Sequence, residues 1–170
     1  MQLKRLIKKI MWGDLLPHER AIKGVVIYPI QHGAYLAVYR KDLAAGVGPG
    51  ASLYVHDREI LRFDCFGKGA GHYHSNISQN RRMTFGRDRR MFFSEPTVEE
   101  QIMRAAAELT ENVHTHLRAN RSRRIREYKL DPELLHKAVD KMKVKMLEYY
   151  ECRPKPDMHT SNRMGSCEEA

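Results

Sequence analysis

Apolar and polar residues alternate with a period of two over the first half of the chain, then recur every three to four residues over the second half. Lys23–Ile30 is β-branched and apolar (Val25, Val26, Ile27, Ile30) and reads as a strand. His32-Gly33 makes a turn, and Ala34–Arg40 with Tyr35, Leu36, Val38 and Tyr39 reads as the next strand. Ala44–Gly50 is rich in Gly, Ala and Pro and is expected to be a loop. Ser52–His56 and Glu59–Cys65 then alternate around Asp57-Arg58 as a hairpin. In the second of these, Leu61, Phe63 and Cys65 share the expected core face, while Ile60, Arg62 and Asp64 share the open face.

His72-Tyr73-His74 opens a further extended piece, and Met91-Phe92-Phe93 returns toward the core after a polar, irregular stretch. Thr97 with Glu100 forms a capping box ahead of the series Val98, Ile102, Ala105, Leu109, Val113, Leu117, which predicts one helix of about five turns. Asp131-Pro132 starts a last helix, whose stripe is Leu135, Ala138, Val139, Met142, Met146 and Tyr149. Strands first and long helices afterwards indicate an α+β fold. It comprises an antiparallel sheet of about four to six strands packed against two long C-terminal helices, with a short N-terminal helix. Residues 1–152 are expected to form one domain and residues 153–170, rich in Pro, Ser and Gly, a flexible tail.

Met1–Trp12 is basic and apolar without a continuous apolar core, which suits a short amphipathic helix better than a signal peptide. No apolar run approaches the roughly 18 residues that cross a bilayer. Three cysteines at unrelated spacings form neither a disulfide framework nor a zinc motif, in keeping with reduced thiols in a cytoplasmic protein.

Net charge is +9, which favours an anionic partner: nucleic acid, an acidic protein or anionic lipid. The excess is concentrated in Arg81, Arg82, Arg87, Arg89 and Arg90, and again in Arg118, Arg121, Arg123, Arg124, Arg126 and Lys129. The planar guanidinium suits phosphate and stacks on bases. Tyr73, Phe85, Phe92 and Tyr128 stand near these clusters, as stacking platforms or as core.

The densest chemistry lies in Arg62–His74. His72 and His74, two apart in an extended segment, point the same way and can face one ligand. They read either as surface histidines, as a metal-free polar site or as metal ligands with Asp64 or His56. Arg62 favours the metal-free option, since a fixed cation repels a metal and attracts a phosphate. Asp64 pairs with Arg62 across strands or orients an imidazole. Gly67, Gly69 and Gly71 with Lys68 match neither a Walker loop nor a dinucleotide fingerprint, and read as a turn or as a phosphate approach. His114 and His116 on a helix point about 200° apart, so structural or solvated roles are expected, with His116 exposed.

The strand-borne Arg62-Phe63-Asp64, the small-residue loop, His72-Tyr73-His74 and the Pro-Thr-Val-Glu-Glu helix start together resemble the TumE-type toxins of bacterial toxin–antitoxin pairs. The resemblance spans roughly Ala51–Leu117. It implies a toxin acting on RNA or translation and neutralised by a protein partner, with Arg62, Asp64, His72 and His74 as the residues carried over.

The functional expectation is a nucleic-acid-directed protein acting as a toxin-like, metal-independent ribonuclease without cofactor. His72 and His74 serve as general base and acid, Asp64 orients one of them, Arg62 and Lys68 stabilise the phosphorane, and the arginine clusters hold the backbone. The alternative is a non-catalytic nucleic-acid-binding or protein-interaction subunit of a larger complex.

Overall fold

The computed structural model describes residues 22–43, 46–56, 58–76 and 90–152. The expected N-terminal helix, the expected tail, Phe85, and Arg81, Arg82, Arg87 and Arg89 lie outside the described residues. The fold is α+β. Six antiparallel strands, β1 (Ile22–Gln31), β2 (Ala34–Leu43), β3 (Gly46–Val55), β4 (Arg58–Asp64), β5 (His72–Ser75) and β6 (Arg90–Phe92), lie side by side in chain order. They are followed by α1 (Val98–Glu111), α2 (Val113–Arg118), a single turn α3 (Arg123–Arg126) and α4 (Pro132–Glu151).

Alternation builds two different faces. Leu36, Val38, Ala51, Leu53, Val55, Leu61, Phe63 and Cys65 pack against Ile102, Ala105, Leu109, Val113, Leu117, Ile125, Val139, Met142 and Met146 from the helices. The opposite face is polar. It carries Tyr39 and Lys41 of β2, Ser52 of β3, Asp64 of β4, and His72 and His74 of β5, all buried.

The helix starts follow the expected chemistry. Thr97 accepts from the Glu100 amide while the Glu100 carboxylate accepts from the Thr97 amide, and Asp131 caps α4 with Pro132 in its first turn. The expected single helix over Val98–Leu117 divides at Asn112, whose backbone bends while its side-chain amide donates to Glu108. Among the described residues, α4 with 20 residues is therefore the one helix that is long throughout.

Ala44–Gly50 is largely strand rather than loop: β3 begins at Gly46 and pairs with β2 along its whole length. Its glycines are demanded by neighbours. A Cβ on Gly48 would sit 2.3 Å from the Cys65 carbonyl, and one on Gly50 would sit 2.5 Å from the Tyr39 ring. The signal that suggested a loop is thus a strand over which other groups lie closely.

A second correction concerns β4. Leu53 pairs with Leu61 but Tyr54 pairs with Glu59, so Ile60 is an extra residue in a β-bulge. Ile60 joins Leu61 in the core instead of sharing a face with Arg62. Glu59 is turned onto the polar face in its place, where it meets Arg62.

Candidate functional site on the polar face of the sheet

Asp64 is the centre of the polar face. It lies directly opposite His72 in the β4–β5 register, and Arg62 lies opposite His74. Cross-strand pairs project to the same side, so both imidazoles rise beside the carboxylate. Their ring centroids are 4.9 Å apart. His72 Nε2 is 3.6 Å and His74 Nε2 3.9 Å from Asp64 Oδ2. The His72 Nδ1–H donates to the Ala70 carbonyl at 2.8 Å, which fixes that ring's orientation. Phe66 and Phe92 flank His72.

The other oxygen of Asp64 accepts from Lys41 Nζ at 2.6 Å, an ion pair with both side chains buried. Lys41 belongs to β2 and Asp64 to β4, so the contact spans the strand between them. Strands are about 4.8 Å apart, and a bridge over two spacings requires clear ground. Gly48, opposite Lys41, and Gly50, opposite Asp64, provide it. Burial pushes the Lys41 ammonium below its ordinary value, with the Asp64 carboxylate opposing. Burial, then Asp64, raises the Cys65 thiol well above its ordinary value, which leaves it a core residue rather than a nucleophile.

Arg62 is committed elsewhere. Its Nε and Nη2 donate to the two oxygens of Glu59 at 2.9 and 2.5 Å. Ser52 Oγ donates to the same carboxylate at 2.7 Å, and the Tyr39 hydroxyl, 2.8 Å away, therefore donates to Ser52. Burial opposes the charge of Arg62, but Glu59 outweighs it and holds the guanidinium protonated. The phenol of Tyr39 is pushed well up by burial and then by Asp64.

The structure thus brings together Asp64, His72 and His74 from the expected set, with Arg62 alongside. It corrects three details. Asp64 pairs with Lys41 and not with Arg62, whose partner is Glu59. Asp64 does not stand on an open face, being 3 % exposed with the two histidines at 6 % and 5 %, while Arg62 is partly exposed. The Asp64–imidazole spacings are longer than hydrogen bonds.

Lys68 is exposed in the β4–β5 loop. That loop is a turn closed by Gly67, which has positive φ, and it is pinned from inside by Gln101. The Gln101 side chain accepts from the Gly67 amide and donates to the Glu95 carbonyl. A Cβ on Gly71 would lie 2.1 Å from Gln101 Oε1, so that glycine serves packing.

Arg90 is exposed on β6 opposite His74, and Phe92, opposite His72, is 62 % exposed rather than returned to the core. Both stand at the sheet edge beside the imidazoles. Arg121, Arg123, Arg124 and Arg126 are exposed on the helical side, around the buried Ile125. There Arg123 pairs with Glu127, and Arg126 donates to the carbonyls of Asn120 and Arg121. Tyr128 donates to the His32 carbonyl. The second arginine cluster and the histidine pair therefore occupy opposite faces of the sheet.

Ser75, next to His74 but facing the helices, is 2.7 Å from His116 Nδ1, whose Nε2 is 2.7 Å from Glu108. His116 is thereby largely buried, where exposure was expected, and His114 is exposed. Burial opposes the charge of Glu108, but the hydrogen bonds from Asn112 and His116 outweigh it and hold the carboxyl below its ordinary value. This relay ties β5 to α1 and α2.

Lys41, Glu59, Ser52 and Tyr39 were missed from the sequence. Their only local signal was the polar position of each in an apolar strand. Among the described residues, no helix is long and apolar enough to cross a membrane. No protein-family model matches the chain, and comparison with curated proteins and with solved structures found no match. The likeness to TumE-type toxins rests on the quoted residues alone.

Proposed function

We propose that this protein is an RNA-directed enzyme that cleaves phosphodiester bonds at the Asp64–His72–His74 cluster. The observation that carries the reading is the convergence of two imidazoles, a carboxylate and the Lys41 ammonium on one sheet face, with Arg90 and Phe92 exposed at its edge. Imidazole suits proton transfer near neutrality. In a metal-free route, one ring takes the proton of a ribose 2′-hydroxyl as its oxygen attacks phosphorus. The other returns a proton to the departing 5′-oxygen. Lys41 and Arg62 are each held by a carboxylate, Asp64 and Glu59, so the exposed Arg90, opposite His74 at the sheet edge, is the cation assigned to the developing phosphorane charge. Arg90 suits a backbone phosphate and Phe92 a stacked base.

The test is time-dependent cleavage of end-labelled RNA by purified protein, with and without chelator, alongside His74→Ala and Phe92→Ala. His74→Ala abolishes cleavage with the circular dichroism spectrum unchanged. Phe92→Ala weakens RNA binding by about 1–3 kcal/mol if one base stacks there. Cleavage by folded His74→Ala at the wild-type rate rejects the assignment.

A second reading is favoured by the exposed Arg121 and Arg124 on the helical side. It is a binding module that engages nucleic acid or an acidic partner, such as a neutralising antitoxin, without chemistry. Steep salt dependence of RNA binding with no cleavage is its signature.

A further inference from the structure

We propose that Asp64, His72 and His74 form a binding site for a divalent transition-metal ion. One ligand atom from each residue lies within 4.8 Å of the other two, and all three residues are buried. The spacing discriminates between a proton and an ion. An imidazolium would donate from Nε2 to the carboxylate at about 2.8 Å, as Lys41 does to the other oxygen. The observed gaps are 3.6 and 3.9 Å. Ligands held about 2.1 Å from a tetrahedral ion stand about 3.4 Å from each other, so the two Asp64–imidazole gaps lie within about half an ångström of that spacing, while the two imidazole nitrogens, within 4.8 Å of each other, close on the ion by rotation of the rings.

The orientation of His72 points the same way. The Ala70 carbonyl can only accept, so Nδ1 carries the proton, and in the neutral ring Nε2 presents a lone pair. That nitrogen lies 3.6 Å from Asp64 Oδ2, itself an acceptor, in a buried setting. Two acceptors at that spacing leave a place for a cation between them. A histidine whose second nitrogen donates to a backbone carbonyl is also the usual oriented ligand of a metal.

Lys41 holds Oδ1 and leaves Oδ2 for the ion, so Asp64 would bind through one oxygen. Two nitrogens and one oxygen favour a zinc-like ion over magnesium or calcium, which prefer oxygen cages. Three protein ligands leave a coordination position open for water or substrate, as in a reactive rather than a structural site. The ligands stand on paired strands rather than loops, which fixes their spacing. With the ion in place, both Nε2 atoms are ligands, and the ion supplies the activation that the free imidazoles would otherwise provide. The inference shares the residues of the RNA reading but not its substrate.

The experiment is titration of the full chain, stripped with chelator and dialysed, with Co²⁺ by visible absorption and with Zn²⁺ by calorimetry, with Mg²⁺ as comparison. The expected result is one tight Zn²⁺ or Co²⁺ per chain, cobalt bands typical of a low-coordinate site, and no comparable Mg²⁺ binding. Asp64→Asn and His74→Ala each weaken the affinity by at least about 100-fold. Absence of a tight site in the folded wild-type chain overturns the proposal without recourse to any variant. So does a site that persists in folded His72→Ala/His74→Ala protein, since it then belongs to other residues. RNA cleavage is scored separately. Tight ion binding without cleavage upholds the metal site and rejects the ribonuclease. Cleavage by a chain that binds no ion does the reverse.

Discussion

Replacing Lys41 by Met removes the ammonium from a buried pair while keeping most of the side-chain volume. The two charges are 2.6 Å apart, with the side chains 8 % and 4 % exposed. At an effective dielectric near 20, their attraction is about 6 kcal/mol. Desolvation of both ions offsets a large part of it, so the intact pair adds little net stability. Loss of one partner is different, because Asp64 is left as an uncompensated buried charge, and the expected cost is about 3–5 kcal/mol. The assay is urea unfolding in the presence of chelator, so that no bound ion contributes, on Lys41→Met, Asp64→Asn and the double variant. The double variant should recover part of the loss, with a coupling energy of about 2–3 kcal/mol. If Lys41→Met stays within about 0.5 kcal/mol of wild type, the pair behaves as an exposed one. The reasoning that places it in a water-poor centre would then be wrong.

Gly50→Ala should cost about 1–3 kcal/mol, because the new methyl meets the buried Tyr39 ring and the Phe63 carbonyl, and it should loosen the Tyr39–Ser52 hydrogen bond. A melting temperature equal to wild type would show that β3 has room to spare. The Ser75–His116–Glu108 relay makes stability sensitive to acid. The Glu108 carboxyl is depressed in the folded state, so its contribution is present above the ordinary 4.5 and is lost as pH falls through the folded value. Between about pH 5 and pH 3, wild type should therefore lose more stability than Glu108→Gln. Parallel pH profiles for the two proteins would refute the linkage.

Much of the fold is legible locally. Alternation of two and of three to four residues is a property of consecutive positions, and it marks the strands, the capping box at Thr97 and the start of α4 without reference to the rest of the chain. The common direction of His72 and His74 is legible for the same reason, since side chains two apart in an extended segment share a face. Asp64 is equally within reach as the carboxylate of the preceding strand.

What the tertiary structure decided is set by partners distant in sequence. Gly48 and Gly50 look like loop residues until Tyr39, the Cys65 carbonyl and the Lys41–Asp64 bridge are laid over them. The bulge at Ile60 exists because β3 and β4 pair out of step there. It turns Glu59 onto the polar face, where that carboxylate neutralises the arginine that alternation alone leaves free. Lys41 and Asp64 are 23 residues apart and two strands apart, and only sheet order makes them neighbours. Local sequence thus determines which way a side chain points, because one residue's backbone geometry governs it. Pairing register and strand order determine what it meets, because those contacts close only when distant segments pack together.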